Sequence, residues 1–180
     1  MPNEILIKSG TPIVWADVTD YSSTLSGYTR TAQVDLTSLA NGAARQGDKV
    51  DLGATRAAGY AVRVGVEFAV APTAAVLVEF FWSASFSATA GTGNDGGASG
   101  ADGAYKAAEE DEWKRQLILI GALVCTADAA TTVQRQTIAP YFQPPTRYGS
   151  IVVVNKAGQA FGVDAVEMYV AFEPIVDEVQ

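Results

Sequence analysis

The sequence of 180 residues predicts an all-β protein: an antiparallel β-sandwich, jelly-roll-like, with one short helix and one glycine-rich loop. Large apolar residues alternate with small or charged ones at 62–70, 76–82 and 166–172, and this period of two is typical of strands with one buried face. Turn-forming residues separate short strands at regular intervals, as in sandwiches and jelly rolls. A chain of this length can bury a core as one domain, and residues 11–175 are predicted to form it.

Eight or nine strands are predicted. In chain order they fall at 12–16, 29–36, 49–52, 62–70, 76–82, 117–125, 132–142, 150–154 and 166–172. The short spacers predict two antiparallel hairpins, 62–70 with 76–82 and 150–154 with 166–172.

Four apolar residues are candidate contacts with a partner. Residues 1–10, with Ile5 and Ile7, read as an edge strand or as an arm that adds to the sheet of a neighbouring subunit. Leu77 and Phe81 make the strand at 76–82 apolar on both faces, so that strand is either covered on both sides or presents these residues to a partner. Residues 176–180 are expected to be a C-terminal tail.

The segment 90–103 is rich in glycine and small polar residues, which predicts a flexible loop that tolerates deletion of residues 96–100. Its Gly91, Gly93 and Gly96 match a dinucleotide pattern, but the strand and helix that a nucleotide site requires do not flank them. Asn94, Asp95 and Asp102 do not have the spacing of a calcium loop. Residues 104–116 have the composition of a short helix.

The side chains that most often carry chemistry near neutral pH are nearly missing. The sequence has no histidine, and its one cysteine, Cys125, follows an apolar run and is expected to be buried and inert. We therefore expect no enzymatic activity, no cofactor and no metal. The strand carboxylates are interpreted as outward-facing charges rather than catalytic pairs; they are Glu67, Glu79, Glu167 and Glu173.

Aromatic residues offer an alternative reading as a platform for sugar stacking. The residues concerned are Trp15, Tyr21, Tyr28, Trp82, Tyr105 and Trp113. Trp82 is in phase with the buried side of its strand and is expected in the core, while Trp113 is expected to anchor the helix.

Charge bears on the kind of partner. The net charge of −8 argues against a nucleic-acid partner, because binding to phosphates requires clustered Lys and Arg. Only 18% of residues are charged, so much of the surface is small and uncharged and suits broad contact with other subunits. The sequence shows no signal peptide and no apolar run long enough for a membrane helix, and we expect synthesis in the cytoplasm.

Two segments carry a resemblance to a known family. Residues 35–74 read DLTSLANGAARQGDKVDLGATRAAGYAVRVGVEFAVAPTA, and residues 148–175 read YGSIVVVNKAGQAFGVDAVEMYVAFEPI. Together they resemble small virion proteins of tailed bacteriophages, over most of residues 30–175. The resemblance implies a head decoration, or cement, protein of β-sandwich type that binds the major capsid protein and copies of itself, is located in the virion and lacks enzymatic activity.

Two alternatives stay open. Within the virion, the chain could instead belong to the tail, a fibre or the baseplate. Outside that class, it could be a carbohydrate-binding module for glycans of the host surface.

Overall fold

The chain folds into two packed β-sheets, as a computed structural model that describes residues 5–106 and 110–179 shows. The strands are β1 Ile5–Ser9, β2 Ile13–Ala16, β3 Ala32–Gln33, β4 Ala44–Gln46, β5 Val50–Asp51, β6 Gly59–Val66, β7 Leu77–Ser85, β8 Gly103–Tyr105, β9 Ile118–Val124, β10 Gln134–Phe142, β11 Tyr148–Lys156 and β12 Tyr169–Val179. Within the described ranges, helix is confined to α1 Ser23–Ser26, α2 Glu110–Lys114 and a 3-10 turn at Asp95–Gly97. The all-β prediction is confirmed, with 42% of residues in strands and 6% in helix.

The order of the strands is that of a jelly roll. Sheet A has the order β10-β6-β12-β2-β3, and β1 also pairs with β12; sheet B has the order β8-β4-β11-β7-β9, and β5 also pairs with β11. All pairs are antiparallel except β2 with β3. The long strands alternate between the sheets along the chain, apart from β7 and β9, which are neighbours in sheet B. The order β2-β12-β6-β10 within sheet A and the order β4-β11-β7-β9 within sheet B form the eight-stranded arrangement of a jelly roll, to which β1, β3, β5 and β8 are added.

Both predicted hairpins are wrong. Strand β6 lies in sheet A and β7 in sheet B, and β11 and β12 are divided between the sheets in the same way. Sheets in a sandwich lie about 10 Å apart, a distance that the connections 67–76 and 157–168 easily span. The alternation of apolar residues shows which face of a strand is buried, but it does not identify the neighbouring strand.

The core lies between the sheets, and the predicted phase of the strands is correct there. Val62, Val64, Val66 and Phe68 are at most 1% exposed. The ring of Phe172 meets that of Trp15, in the same sheet, edge to face at 5.0 Å between centres, and lies tilted 5.4 Å from that of Trp82 in sheet B. 

Cys125 and Trp82 occupy the core as the sequence predicts. Trp82 is fully buried, and Cys125 is 2% exposed. Burial raises the pKa of the Cys125 thiol to about 11, so the reactive thiolate is scarce at neutral pH. The inert character expected for this cysteine follows from its position.

The glycine-rich segment is packed rather than loose, which corrects the prediction of a flexible loop. It packs against the outer face of sheet B. The ammonium of Lys49 donates to the carbonyl oxygen of Thr92 in this segment and to those of Ser87 and Thr89 just before it, at 2.7–3.0 Å. The hydroxyl of Ser83 donates to Asp95 O at 2.6 Å. The side chains of Lys49 and Ser83 thus satisfy part of the backbone of a segment that has few side chains of its own to bury.

The helical prediction at 104–116 is met in part. Residues 103–105 form strand β8, which pairs with β4, and α2 begins at Glu110; residues 107–109 lie outside the described residues. Trp113 packs against the outer face of sheet B and lies under the ammonium of Lys106, 3.6 Å from its ring centre. Among the described residues, no helix has the length and apolar character needed to cross a membrane.

Candidate functional site

Phe81, a candidate partner contact, is covered by its own chain. Its side chain is 4% exposed and belongs to a cluster on the outer face of sheet B with Tyr105, Leu117 and Val152. The apolar outer phase of β7 therefore has an internal explanation, because Ala98, Tyr105, Trp113 and Leu117 pack against it. The expectation that Phe81 meets a partner is corrected.

Leu77 lies beyond that cover, in a small exposed cluster. It is 38% exposed and pairs with Val124 of β9, which is 49% exposed. Leu119, opposite Phe81 in the same strand pair, is 58% exposed. We call Leu77, Leu119 and Val124 the β7–β9 apolar patch.

Sequence reasoning missed Leu119 and Val124. The uninterrupted apolar run before Cys125 is typical of a buried strand, but β9 is the last strand in the order of sheet B, and its other side faces β10 of sheet A rather than a strand of its own sheet. No feature of the run itself marks it as an edge. Because Ile118–Val124 contains no charged residue, its sequence does not show that Leu119 and Val124 are exposed.

Polar side chains from β10 cover one end of this edge. Gln136 Oε1 accepts the N–H of Val124 at 3.0 Å. The amide of Gln134 accepts from Thr126 N at 2.9 Å and donates to Thr126 O at 2.8 Å. These residues and Asp128 line a groove of about 430 Å³ between the two sheets. From Val124 onward, therefore, side chains rather than a further strand satisfy the backbone.

Ile5 and Ile7 lie in β1, which is an edge strand in this structure. Its backbone runs antiparallel to the end of β12, and Ile5 lies opposite Val179 and Ile7 opposite Asp177. Residues 176–179 of the predicted tail are thus also part of a strand. The side chains of Ile5 and Ile7 lie outside the described part, so their contact with a partner stays a prediction.

Phe86 is the most exposed large apolar side chain among the described residues, at 85%. It follows β7 directly, and its neighbour Ser85 is fully buried. The backbone N–H of Ser85 donates to Thr146 at 3.2 Å, and its hydroxyl contacts the ammonium of Lys49 at 2.9 Å. The contacts of Ser85 therefore hold the backbone next to Phe86, whose ring is exposed to solvent.

The polar groups of the glycine-rich segment form hydrogen bonds and an ion pair with other residues of this chain. Asn94 donates its amide to Ala90 O and Ala98 O at 2.6 and 2.7 Å, and Asp102 forms a two-pronged ion pair with Arg45 at 2.6 and 2.8 Å. Asp95 offers its backbone carbonyl to Ser83. In the part of the chain that the structure describes, no group of three or more Cys, Asp or Glu side chains is arranged to hold a metal ion.

Three of the four strand carboxylates are paired with bases. Glu79 bonds to Lys114, Glu167 lies 3.7 Å from Arg135, and Glu173 lies 3.6 Å from Arg63. Glu67 departs from its expected outward position, since it is only 8% exposed. Burial raises the pKa of the Glu67 carboxyl, and the charges of Asp164 and Glu167 raise it further.

We predict that Glu67→Gln stabilises the protein at neutral pH. A carboxyl whose pKa is higher in the folded state contributes its full stability below its unfolded pKa and loses it as the pH rises through the folded value. The thermal midpoint of the variant should exceed that of the wild type at pH 7, and the two should converge near pH 4. Glu112→Gln, at an exposed position, is the control. Equal midpoints for Glu67→Gln and wild type at pH 7 would contradict the prediction.

The six aromatic residues do not form an exposed platform. Trp15, Tyr28, Trp82 and Tyr105 are buried, and Tyr21 and Trp113 are half-buried against separate clusters on opposite outer faces. Their rings serve packing.

No family model, no curated protein and no solved structure matches this chain.

Proposed function

We propose that this protein is a structural component of a tailed-bacteriophage virion, a decoration protein that binds the outer surface of the head and stabilises the shell. The resemblance of residues 35–74 and 148–175 motivates this proposal. These segments contain β6, β11 and most of β12, each of which has neighbouring strands on both sides. The likeness therefore concerns the core of the sandwich, and it does not identify the surface that would contact the capsid.

The observation that supports a binding role is the exposed ring of Phe86 on a fixed backbone. Aromatic anchors that are already held in place bind with little loss of conformational entropy and often dominate the energy of an interface. The loop that follows has small side chains, Ser87, Ala88 and Thr89, which cost little to desolvate. A neighbouring pocket on a shell could receive this ring while the small residues pack around it.

Charge and fold agree with that setting. A net charge of −8 suits the outside of a shell rather than its DNA-facing side. Jelly rolls occur in viral capsid proteins and in lectins, so the fold by itself is compatible with the virion role and with a glycan-binding role. Weak individual contacts repeated around a shell would add up to stable binding through avidity.

We expect purified protein to sediment with heads that lack it and to raise the temperature at which those heads rupture. Phe86→Ser should weaken the binding about tenfold or more, because the ring supplies the main apolar anchor. Val163→Ser, at a position 76% exposed, is the matched control and should bind like the wild type.

The outcomes separate the parts of the proposal. Binding of wild type and Phe86→Ser with equal affinity would reject Phe86 as the anchor. Labelling of intact particles with antibody to this chain should mark the head, and a label confined to the tail would reject the decoration role.

A further inference from the structure

We propose that the outer face of sheet A binds a neutral oligosaccharide, with one sugar ring stacked on Tyr141 and a neighbouring sugar bound by Arg63 and Glu173. Tyr141 lies in β10 and is not among the six aromatic residues that the sequence offered as a platform. The site is separate from the proposed capsid anchor, because Phe86 follows a strand of the other sheet.

Tyr141 presents an aromatic ring that is exposed and also held in place. Its side chain is 54% exposed, and its hydroxyl donates to Ala58 O at 2.8 Å. One side of the ring lies against Gly59, where a Cβ would collide with three of the ring carbons. A pyranose presents C–H groups that pack favourably on the negative face of such a ring. Because the ring is already held, stacking on it costs little conformational entropy.

Arg63 and Glu173 lie on the same face of the sheet as the ring of Tyr141. The even-numbered residues of β6 are buried in the core, so Gly59, Ala61 and Arg63 face outward. Glu173 of β12 lies opposite Ala61 in the register of the two strands. Strands lie about 5 Å apart and alternate residues about 7 Å apart, so roughly 8 Å separates the position of Gly59 from that of Glu173. Two linked sugar rings span that distance over the small side chain of Ala61.

The ion pair of Arg63 and Glu173 has bonding capacity left for a ligand. Arg63 Nη1 lies 3.6 Å from Glu173 Oε1 and donates to the hydroxyl of Tyr28 at 3.3 Å, and that hydroxyl donates to Oε1 of Glu173. Among the described residues, no hydrogen bond or ion pair involves Arg63 Nη2 or Glu173 Oε2, and the two side chains are 48% and 28% exposed. Adjacent hydroxyls of a sugar can accept from the guanidinium and donate to the carboxylate.

The charges favour a neutral sugar over the other classes of ligand. Arg63 and Glu173 balance each other, and the net charge of −8 repels acidic sugars. A protein that covered the site would remove the ion pair from water, which is costly. A sugar replaces that water with its own hydroxyl groups, so the charged atoms stay hydrogen-bonded.

Titration of the isotope-labelled protein, followed by NMR, tests the site. The probes are neutral tetrasaccharides of glucose, galactose or mannose. At least one of them should shift the amide signals of residues 59–63, Tyr141 and Glu173, with a Kd of about 0.1–10 mM, as expected of one stacked ring and a few hydrogen bonds. The acidic trisaccharide of galacturonic acid should bind about tenfold more weakly or not at all.

Variants separate the ring from the rest of the surface. Tyr141→Ser should weaken the binding about tenfold or more, whereas Tyr141→Phe keeps the stacking face and should retain most of it. Glu173→Gln, which loses the charged acceptor, should also weaken the binding. Val163→Ser, at another exposed apolar residue, is the control and should bind like the wild type. Unchanged circular dichroism and thermal midpoint verify that Tyr141→Ser is folded.

Two results would overturn the proposal: no shift with any of the neutral tetrasaccharides at about 20 mM, or binding that Tyr141→Ser leaves unchanged. Protein that sediments with heads but does not bind these sugars would reject the sugar site and leave the decoration role intact. Sugar binding without binding to heads would do the reverse.

Discussion

Gly100→Ala should destabilise the protein by about 2–4 kcal/mol, although it adds one methyl group to a glycine-rich segment. Gly100 has φ +69°, a conformation that alanine adopts only at a cost, and its Cβ would point directly onto the carbonyl oxygen of Ala90. For a chain of this length the loss corresponds to a fall of roughly 5–15 °C in the thermal midpoint. Differential scanning calorimetry measures it.

Gly91→Ala is the matched control in the same segment. The nearest atom to its added methyl group is Ser99 O at 4.0 Å, an ordinary contact, and Gly91 is exposed. Its midpoint should stay near the wild-type value. Equal effects of the two substitutions would show that the segment does not pack as described.

Phe68→Ala should cost about 3–5 kcal/mol, the usual loss for a buried phenylalanine in a core. Phe68 is 1% exposed, and its ring meets that of Phe161 edge to face at 5.4 Å between centres. The two residues also form a backbone bridge beyond the end of β6. The substitution leaves a cavity where the connections after β6 and β11 cross, and chemical denaturation measures its cost.

Phe86→Ala makes the same change at a residue that is 85% exposed. It should alter the free energy of unfolding by less than about 0.5 kcal/mol. A cost at Phe68 as small as that at Phe86 would mean that the strand is turned the other way.

The fold class and the buried face of most strands could be predicted from the sequence, because burial leaves a period of two in the residues themselves. Val62 and Val64 show this directly. The pairing of strands could not be predicted, because the short spacer after Val70 is equally compatible with a turn and with a crossing between sheets. Strand β4 was missed because three residues, Ala44–Gln46, are too few to show a period.

The contact surface was predicted less well. Leu77 is exposed as a partner contact requires, but whether Phe81 is exposed depends on a segment that lies next to it only in the folded chain. The packing of the glycine-rich segment has a similar origin. The carbonyl oxygens of Thr92 and Asp95 accept hydrogen bonds from Lys49 and Ser83, which lie 43 and 12 residues earlier in the chain.

The jelly-roll order has a consequence for how the protein folds. Among the described strands, the only two consecutive ones that pair with each other are β2 and β3, and that pair joins just two residues on each strand. No long hairpin can therefore form early and guide the rest, and each sheet must gather strands that are far apart in the chain. Closing such loops before any contact stabilises them is slow, and we expect refolding on a scale of milliseconds to seconds or longer. During that time the uncharged β9 is exposed to other unfolded chains, so the yield of refolding should fall as the protein concentration rises.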